Sequence, residues 1–215
     1  MSTLEKAIQY SRNSFANGEF IQRLGSLIEI VTDSKGSVSA QVLREYYTKG
    51  LFNIFDELGI KSKIIDNPIN DKPPFLIGTR IESPENKTIL FYGHGDTVPL
   101  QTGDWYEGIN PSELKVIGDK IYGRGIADNK GQHFINLMAL LSVLKTKKRL
   151  GFNLKIIFEM GEEIGSPGLF ELCELYKEDL KSDVLIASDG PRVSVEVPTI
   201  FLGSRGAINF ELEVK

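Results

Sequence analysis

Two spacings of apolar residues alternate along the chain. Leu24, Leu27, Ile28 and Val31 recur at helical intervals, and the stripe breaks at Thr32-Asp33-Ser34-Lys35-Gly36. Val42, Tyr46, Leu51, Ile54, Phe55 and Leu58 predict a second helix ending near Gly59, so the first sixty residues read as helical. Ile60 to Ile65 fits a strand, and Asn67 to Pro74 reads as a Pro/Asn/Asp loop. Beyond it stand four short apolar runs: Pro74 to Ile81, Thr88 to Tyr92, Leu154 to Phe158 and Val184 to Ala187. Each is continuously apolar rather than alternating, the pattern of strands buried on both faces.

Between the second and third runs, Lys130 to Lys148 predicts a long helix carrying Phe134, Ile135, Met138, Leu141, Val143 and Leu144. It closes with Lys145, Lys147, Lys148 and Arg149, which suit the negative end of the helix dipole. A shorter helix is expected from Gly168 to Tyr176, with Cys173 as a small buried residue among Leu169, Phe170, Leu172 and Leu175. Strand-like runs alternating with helical or loop segments predict an α/β fold with a mainly parallel sheet. Val193 to Lys215 reads as strand-rich, ending in the alternating segment Ala207 to Val214 with no turn or cap after it, as in a chain cut within an element.

The chain has 215 residues, 41% hydrophobic and 25% charged, an ordinary globular mix that excludes a disordered chain. A net charge of −4, without a long basic run, argues against nucleic acid and anionic membrane surfaces as partners. The single cysteine excludes an internal disulfide framework and a Cys-rich zinc module. The first twenty residues have no apolar h-region, and no segment approaches the roughly 18 apolar residues of a membrane span, so a cytoplasmic protein is expected.

Three of the four apolar runs lead directly into ligand-type residues. Tyr92 is followed by Gly93-His94-Gly95-Asp96-Thr97, Phe158 by Glu159-Met160-Gly161-Glu162-Glu163, and Ser188 by Asp189-Gly190. The carboxyl ends of parallel strands form the ligand crevice of an open sheet, so His94, Asp96, Glu162, Glu163 and Asp189 are expected along one edge. Asp128 joins them from the start of the long helix. Five carboxylates and one imidazole together call for a divalent cation, and Zn²⁺ suits such donors, although Co²⁺ and Mn²⁺ accept them too. A shared carboxylate points further to two ions a few Å apart.

Taken singly, each motif has a plainer reading. His94 could be a turn residue, Glu162-Glu163 a solvated face, Asp128 a helix cap and Asp189-Gly190 an ordinary turn. His133 reads as a packing or surface residue, and Trp105 as a loop anchor. Other chemistries fail on the letters. A dinucleotide loop starting at Gly123 meets Asp128 where its third glycine belongs, and neither G-x-S-x-G nor H-E-x-x-H occurs.

Gly93-His94-Gly95-Asp96-Thr97-Val98-Pro99, Tyr122-Gly123-Arg124-Gly125 with Asp128, Lys130 and Gly131, Glu162-Glu163 with Gly165-Ser166, and Ser188-Asp189-Gly190 occur in this order. Together they resemble the co-catalytic di-zinc metallopeptidases, which include carboxypeptidase G, aminoacylase, acetylornithine deacetylase, succinyl-diaminopimelate desuccinylase and carnosine-type dipeptidases. The resemblance implies that Asp128 bridges two metals, that His94 and Asp189 complete one, and that Glu163 binds the other. It makes Glu162 the general base and gives Asp96 the other ring nitrogen of His94 to orient. It also implies a cis peptide at Asp128-Asn129 and a three-layer α/β/α fold around a mainly parallel, mixed sheet, cut short at its C-terminal end. The implied reaction is metal-assisted hydrolysis of an amide or peptide bond in a dipeptide or small N-acyl-amino acid. Glu162 would need burial to keep its pKa high enough for base work beside cations.

The family's second metal takes a further histidine from far downstream, whereas this sequence has only His94 and His133, and neither can be that residue. Gly203-Ser204-Arg205-Gly206 resembles the entry to the family's lid and dimerisation domain. The expected organisation is therefore residues 1–202 as the N-terminal part of a metal-binding catalytic domain, and 203–215 as the start of that lid. The whole enzyme is then expected to be a homodimer, and this chain a monomeric N-terminal fragment impaired on its own. The alternative is a catalytically silent metal-binding fragment or regulatory module.

Overall fold

The computed structural model describes every residue except Ser37, Ser204, Arg205, Ala207, Asn209 and Lys215. It opens with α1 (Thr3–Ala16), α2 (Glu19–Ile28) and α3 (Ala40–Glu45), which runs through a π-helical turn at Tyr46–Leu51 into α4 (Phe52–Leu58). Gly59 ends this run at φ +63°, a left-handed conformation that glycine adopts without steric cost. There follow β1 (Lys61–Ile65), β2 (Phe75–Arg80), β3 (Thr88–His94), a small hairpin of β4 (Lys115–Ile117) and β5 (Lys120–Tyr122), and α5 (Lys130–Lys147). The chain continues through β6 (Asn153–Glu159), α6 (Leu169–Leu175), α7 (Lys177–Leu180) and β7 (Val184–Ala187).

The main sheet has the order β1-β2-β6-β3-β7. β3 is parallel to both β6 and β7, whereas β2 is antiparallel to β1 and β6, so four of the five strands share one direction. The exception is instructive: β2 is the apolar run that leads into no ligand-type residues. The parallel strands β3, β6 and β7 are the three that do.

Period-two alternation divides the strands between two cores. Leu76 of β2 and Leu154, Ile156 and Phe158 of β6 face the larger one, with Phe134, Leu137, Met138 and Leu141 of α5 and Tyr46, Tyr47, Phe55 and Leu58 of the helical layer. Phe75, Ile77 and Ile157 face the opposite way, onto Leu172 of α6 and Leu180 of α7. The fold is thus the expected three-layer α/β/α arrangement around a mixed, mainly parallel sheet. Among the described residues, no helix is long and apolar enough to cross a membrane.

Three expectations need correction. β7 is not buried on both faces: it takes the edge of the sheet, and Leu185 is 60% exposed. Cys173 is exposed, because α6 turns only Leu172 fully inward and the next position points some 100° away. Beyond β7 no strand forms among the described residues, the only pairing there being an isolated bridge between Ser194 and Val197. Ile208, Phe210, Leu212 and Val214 alternate as a strand should, yet each is more than 80% exposed and none belongs to a strand of the described residues. Ser204, Arg205, Ala207, Asn209 and Lys215 of that segment lie outside the described residues.

Candidate metal centre

His94 is the last residue of β3 and is fully buried. Its imidazole Nε2 faces three carboxylates: Asp128 at 3.0 Å, Asp189 at 3.6 Å and Glu162 at 3.9 Å. Its Nδ1 faces the opposite way, 3.1 Å from the Asp96 carbonyl and 3.3 Å from the Asp96 carboxylate. His94, Asp128 and Asp189 each offer a ligand atom within 4.8 Å of the others'.

These residues meet because the parallel strands end together. His94 pairs with Glu159 across β3 and β6, and Tyr92 pairs with Ala187 across β3 and β7, so the loops after all three strands open at one edge. Asp128 arrives from a separate element, two residues before α5. The Asp128–Asn129 peptide is cis, as the sequence resemblance implies. Asp128 does not cap α5: the cap position is Asn129, whose side chain makes no capping bond.

Asp96 is fully buried and binds outward from His94 to the glutamate pair. One carboxylate oxygen accepts the Glu162 N–H at 3.2 Å, and the other accepts the Glu163 N–H at 3.1 Å. The pair occupies a 3₁₀ turn, Glu162–Ile164, directly after β6. Glu163 lies outside the three-residue cluster, and its carboxylate accepts the Val98 N–H at 3.3 Å.

The electrostatics suit a cation. Burial pulls the His94 imidazole down, but Asp189 and Asp96 outweigh it and push the group up to about 11, so the ring holds a proton when nothing else balances the carboxylates. Burial raises Glu162, against the pull of His94 and with Asp189 and Glu163 adding to it. Burial raises Glu163 as well, assisted by Asp128. One imidazole nitrogen and two carboxylate oxygens on a common point form the donor set of a zinc site with an open position. The residues therefore fit a divalent ion.

Around this cluster lies a framework that the sequence patterns did not reveal. Lys130 is buried and donates from Nζ to the Leu27 and Ile30 carbonyls at 3.0 and 2.7 Å, tying the start of α5 to the end of α2. Burial lowers its pKa to about 7. His133, expected as a packing or surface residue, is buried, with Nε2 2.7 Å from the Tyr46 hydroxyl and Nδ1 3.2 Å from the Asn129 amide oxygen. Glu159 is buried beside the site and accepts from the Tyr92 and Ser166 hydroxyls at 2.6 and 2.9 Å. Its position at the very end of the apolar run of β6 was the available signal, masked by the Glu162-Glu163 pair three residues on. Trp105 anchors its loop as expected, donating to the Leu100 carbonyl at 2.8 Å.

A family comparison agrees with this geometry. Residues 90–212 match Peptidase family M20/M25/M40, and the chain belongs to that family. It is 32% identical over 226 residues to the mouse Beta-Ala-His dipeptidase, a match spanning 99% of this chain and 45% of the relative. It is 32% identical over 160 residues to the Cysteinylglycine-S-conjugate dipeptidase of Corynebacterium striatum, covering 74% of this chain and 34% of that protein. The crystal structure of human carnosine dipeptidase 1 superposes with a TM-score of 0.77 at 30% identity, over 90% of this chain and 42% of that one. The chain thus spans less than half the length of these relatives.

Proposed function

We propose that this chain carries the metal-binding half of a dipeptidase-like hydrolase, acting on the amide bond of a dipeptide or small N-acyl-amino acid. The observation that carries the reading is the convergence of Asp128 and Asp189 on Nε2 of His94, with Asp96 behind Nδ1. In this reading His94, Asp128 and Asp189 hold one divalent ion, Zn²⁺ in the first instance. Asp128 and Glu163 contribute to a second. The bound metal supplies Lewis acidity, polarising a carbonyl oxygen and making water more acidic.

Glu162 is the general base. Its carboxylate stands 3.9 Å from His94 Nε2, and burial raises its proton affinity, so it can take a proton from the attacking water and return it to the leaving amine. Asp96 holds the His94 ring from behind, and through the Glu162 and Glu163 N–H groups it fixes the turn that carries the base. The division at residue 202, with 203–215 beginning a lid, belongs to the same proposal and rests on the resemblance of the Gly203 to Gly206 motif.

A second reading, a metal-binding module without turnover, is favoured by one fact. The sequence has two histidines, and His133 is committed inside the fold to Tyr46 and Asn129, which leaves the second metal without an imidazole. Elemental analysis of the dialysed chain, with Asp128→Ala as control, tests the metal. Hydrolysis of β-alanyl-histidine and cysteinyl-glycine by the zinc-loaded chain tests the reaction. One zinc per chain, lost in the variant, together with turnover supports the hydrolase. Zinc without turnover favours the module, and no zinc in either protein removes both readings for this chain.

A further inference from the structure

The β3–β7 ladder stops at Tyr92 and Ala187, before either strand has delivered its ligand. Beyond that rung the two strands are joined by a side chain from a third element. The Asn129 amide oxygen accepts the His94 N–H at 3.3 Å, and its amide nitrogen donates to the Ser188 carbonyl. One amide therefore stands between the backbone of His94 and the residue preceding Asp189, while its own backbone follows Asp128. Asn129 is fully buried and occupies the cap position of α5, yet it makes no capping bond. Its amide reaches across the sheet edge and to the His133 ring, and caps none of the free N–H groups of α5.

The amide is itself held in place. The His94 N–H and the Ser188 carbonyl fix which end is oxygen, so the His133 nitrogen beside that oxygen must be the donor. His133 is then the neutral Nδ1–H tautomer, and its bare Nε2 accepts from the Tyr46 hydroxyl at 2.7 Å. Tyr46 and His133 are both buried, the former in the π-helical turn of the helical layer. A chain of hydrogen bonds thus runs from that layer through His133 and Asn129 to the two strand ends.

We propose that Asn129 is a positioning residue for the metal centre, its side-chain amide setting the separation of His94 and Asp189 around Asp128. The inference rests on the reading of His94, Asp128 and Asp189 as metal ligands, and it assigns Asn129 no contact with the ion. Loss of a polar group that orients metal ligands typically weakens metal binding by about 10- to 100-fold.

The test measures zinc affinity of the intact chain by competition with a chromophoric chelator, in wild type, Asn129→Ala, Asn129→Asp and Leu141→Ala. Leu141 is a fully buried core residue of α5, so its truncation lowers stability with no polar contact to the site. The expected result is a loss of about 10- to 100-fold for Asn129→Ala. Asn129→Asp, which keeps the acceptor and loses the donor to Ser188, should also weaken binding, with Leu141→Ala within about twofold of wild type. Unchanged affinity in both Asn129 variants, or an equal loss in Leu141→Ala, overturns the proposal. If wild type binds no zinc, the metal reading fails separately, and exchange of the His94 amide proton in the metal-free chain decides. Slow exchange in wild type and Leu141→Ala with fast exchange in Asn129→Ala, which removes the acceptor of that N–H, supports the positioning role, and equal exchange in all overturns it. Nitrogen-15 spectra of wild-type His133 add a check needing no variant: a proton on Nε2 rather than Nδ1 would contradict the chain of bonds.

Discussion

The Asp96 carboxylate stands 3.3 Å from Nδ1 of His94, on the side of the ring turned away from Asp128. The same carboxylate accepts the N–H groups of Glu162 and Glu163, so one buried side chain sets both the imidazole and the turn that carries the glutamates. Asp96→Asn replaces one acceptor oxygen by an NH₂ group facing an N–H donor. The one N–H donor facing that group then goes unpaired, at about 1–3 kcal/mol. Urea unfolding of the metal-free chain should read that loss, and chelator competition should find zinc bound about 10- to 100-fold more weakly. Wild-type zinc affinity in Asp96→Asn would show that the ring needs no orienting partner.

Glu162 and Glu163 are neighbours in sequence with different expected duties. Glu162→Gln keeps the size of the side chain and removes the base. Zinc content should stay at the wild-type level, while turnover of a dipeptide by the loaded enzyme falls by about 10²- to 10⁴-fold. A variant that loses its zinc instead would recast Glu162 as a ligand.

Gly95 explains why a small residue follows His94. A Cβ there would meet the Met160 sulfur at 2.8 Å and press into the Tyr46 ring, whose hydroxyl holds His133. Gly95→Ala should therefore destabilise the chain by about 1–3 kcal/mol through overpacking. Gly103→Ala, where a Cβ would meet nothing within 4 Å, should change stability by less than about 0.5 kcal/mol. Equal thermal midpoints for the two variants would mean that the Tyr46 ring yields without cost.

What could be read from the letters follows from where the chemistry sits. His94, Glu162, Glu163 and Asp189 each follow an apolar run within a few residues, and parallel strands bring such positions to one edge whatever their distance in sequence. The four motifs then agreed on one family, and the fold followed. Tyr46, His133 and Asn129 had no such signal, because side-chain hydrogen bonds between residues 87 apart leave no period and no motif. Burial of β7 failed for a related reason. Val184 to Ala187 is apolar enough for a central strand, but strand order, which its own residues do not encode, put it at the edge. Cys173 was misread because an apolar neighbourhood in sequence is not one in space when a short helix shows a single residue to the core.

The buried His133 makes stability depend on acid in a way that can be isolated. Burial and the neighbouring charges of His94 and Lys130 push its pKa down to about 3, from an ordinary 6.5. Between those values the unfolded chain binds a proton that the folded chain does not, so unfolding takes up a proton and stability falls as pH falls. The contribution of His133 is fully present above pH 6.5 and is lost progressively as pH drops through the folded-state value of about 3. Within the window the slope approaches about 1.4 kcal/mol per pH unit for a single group. Nearby carboxylates titrate over the same range, so the comparison must be with His133→Gln, which keeps polar atoms but cannot titrate. In urea unfolding of the metal-free proteins between pH 6 and pH 4, wild type should lose stability faster than the variant by up to that slope. Parallel profiles for the two proteins would show that His133 takes up its proton in the folded state, with the Tyr46 and Asn129 contacts rearranged around a charged ring.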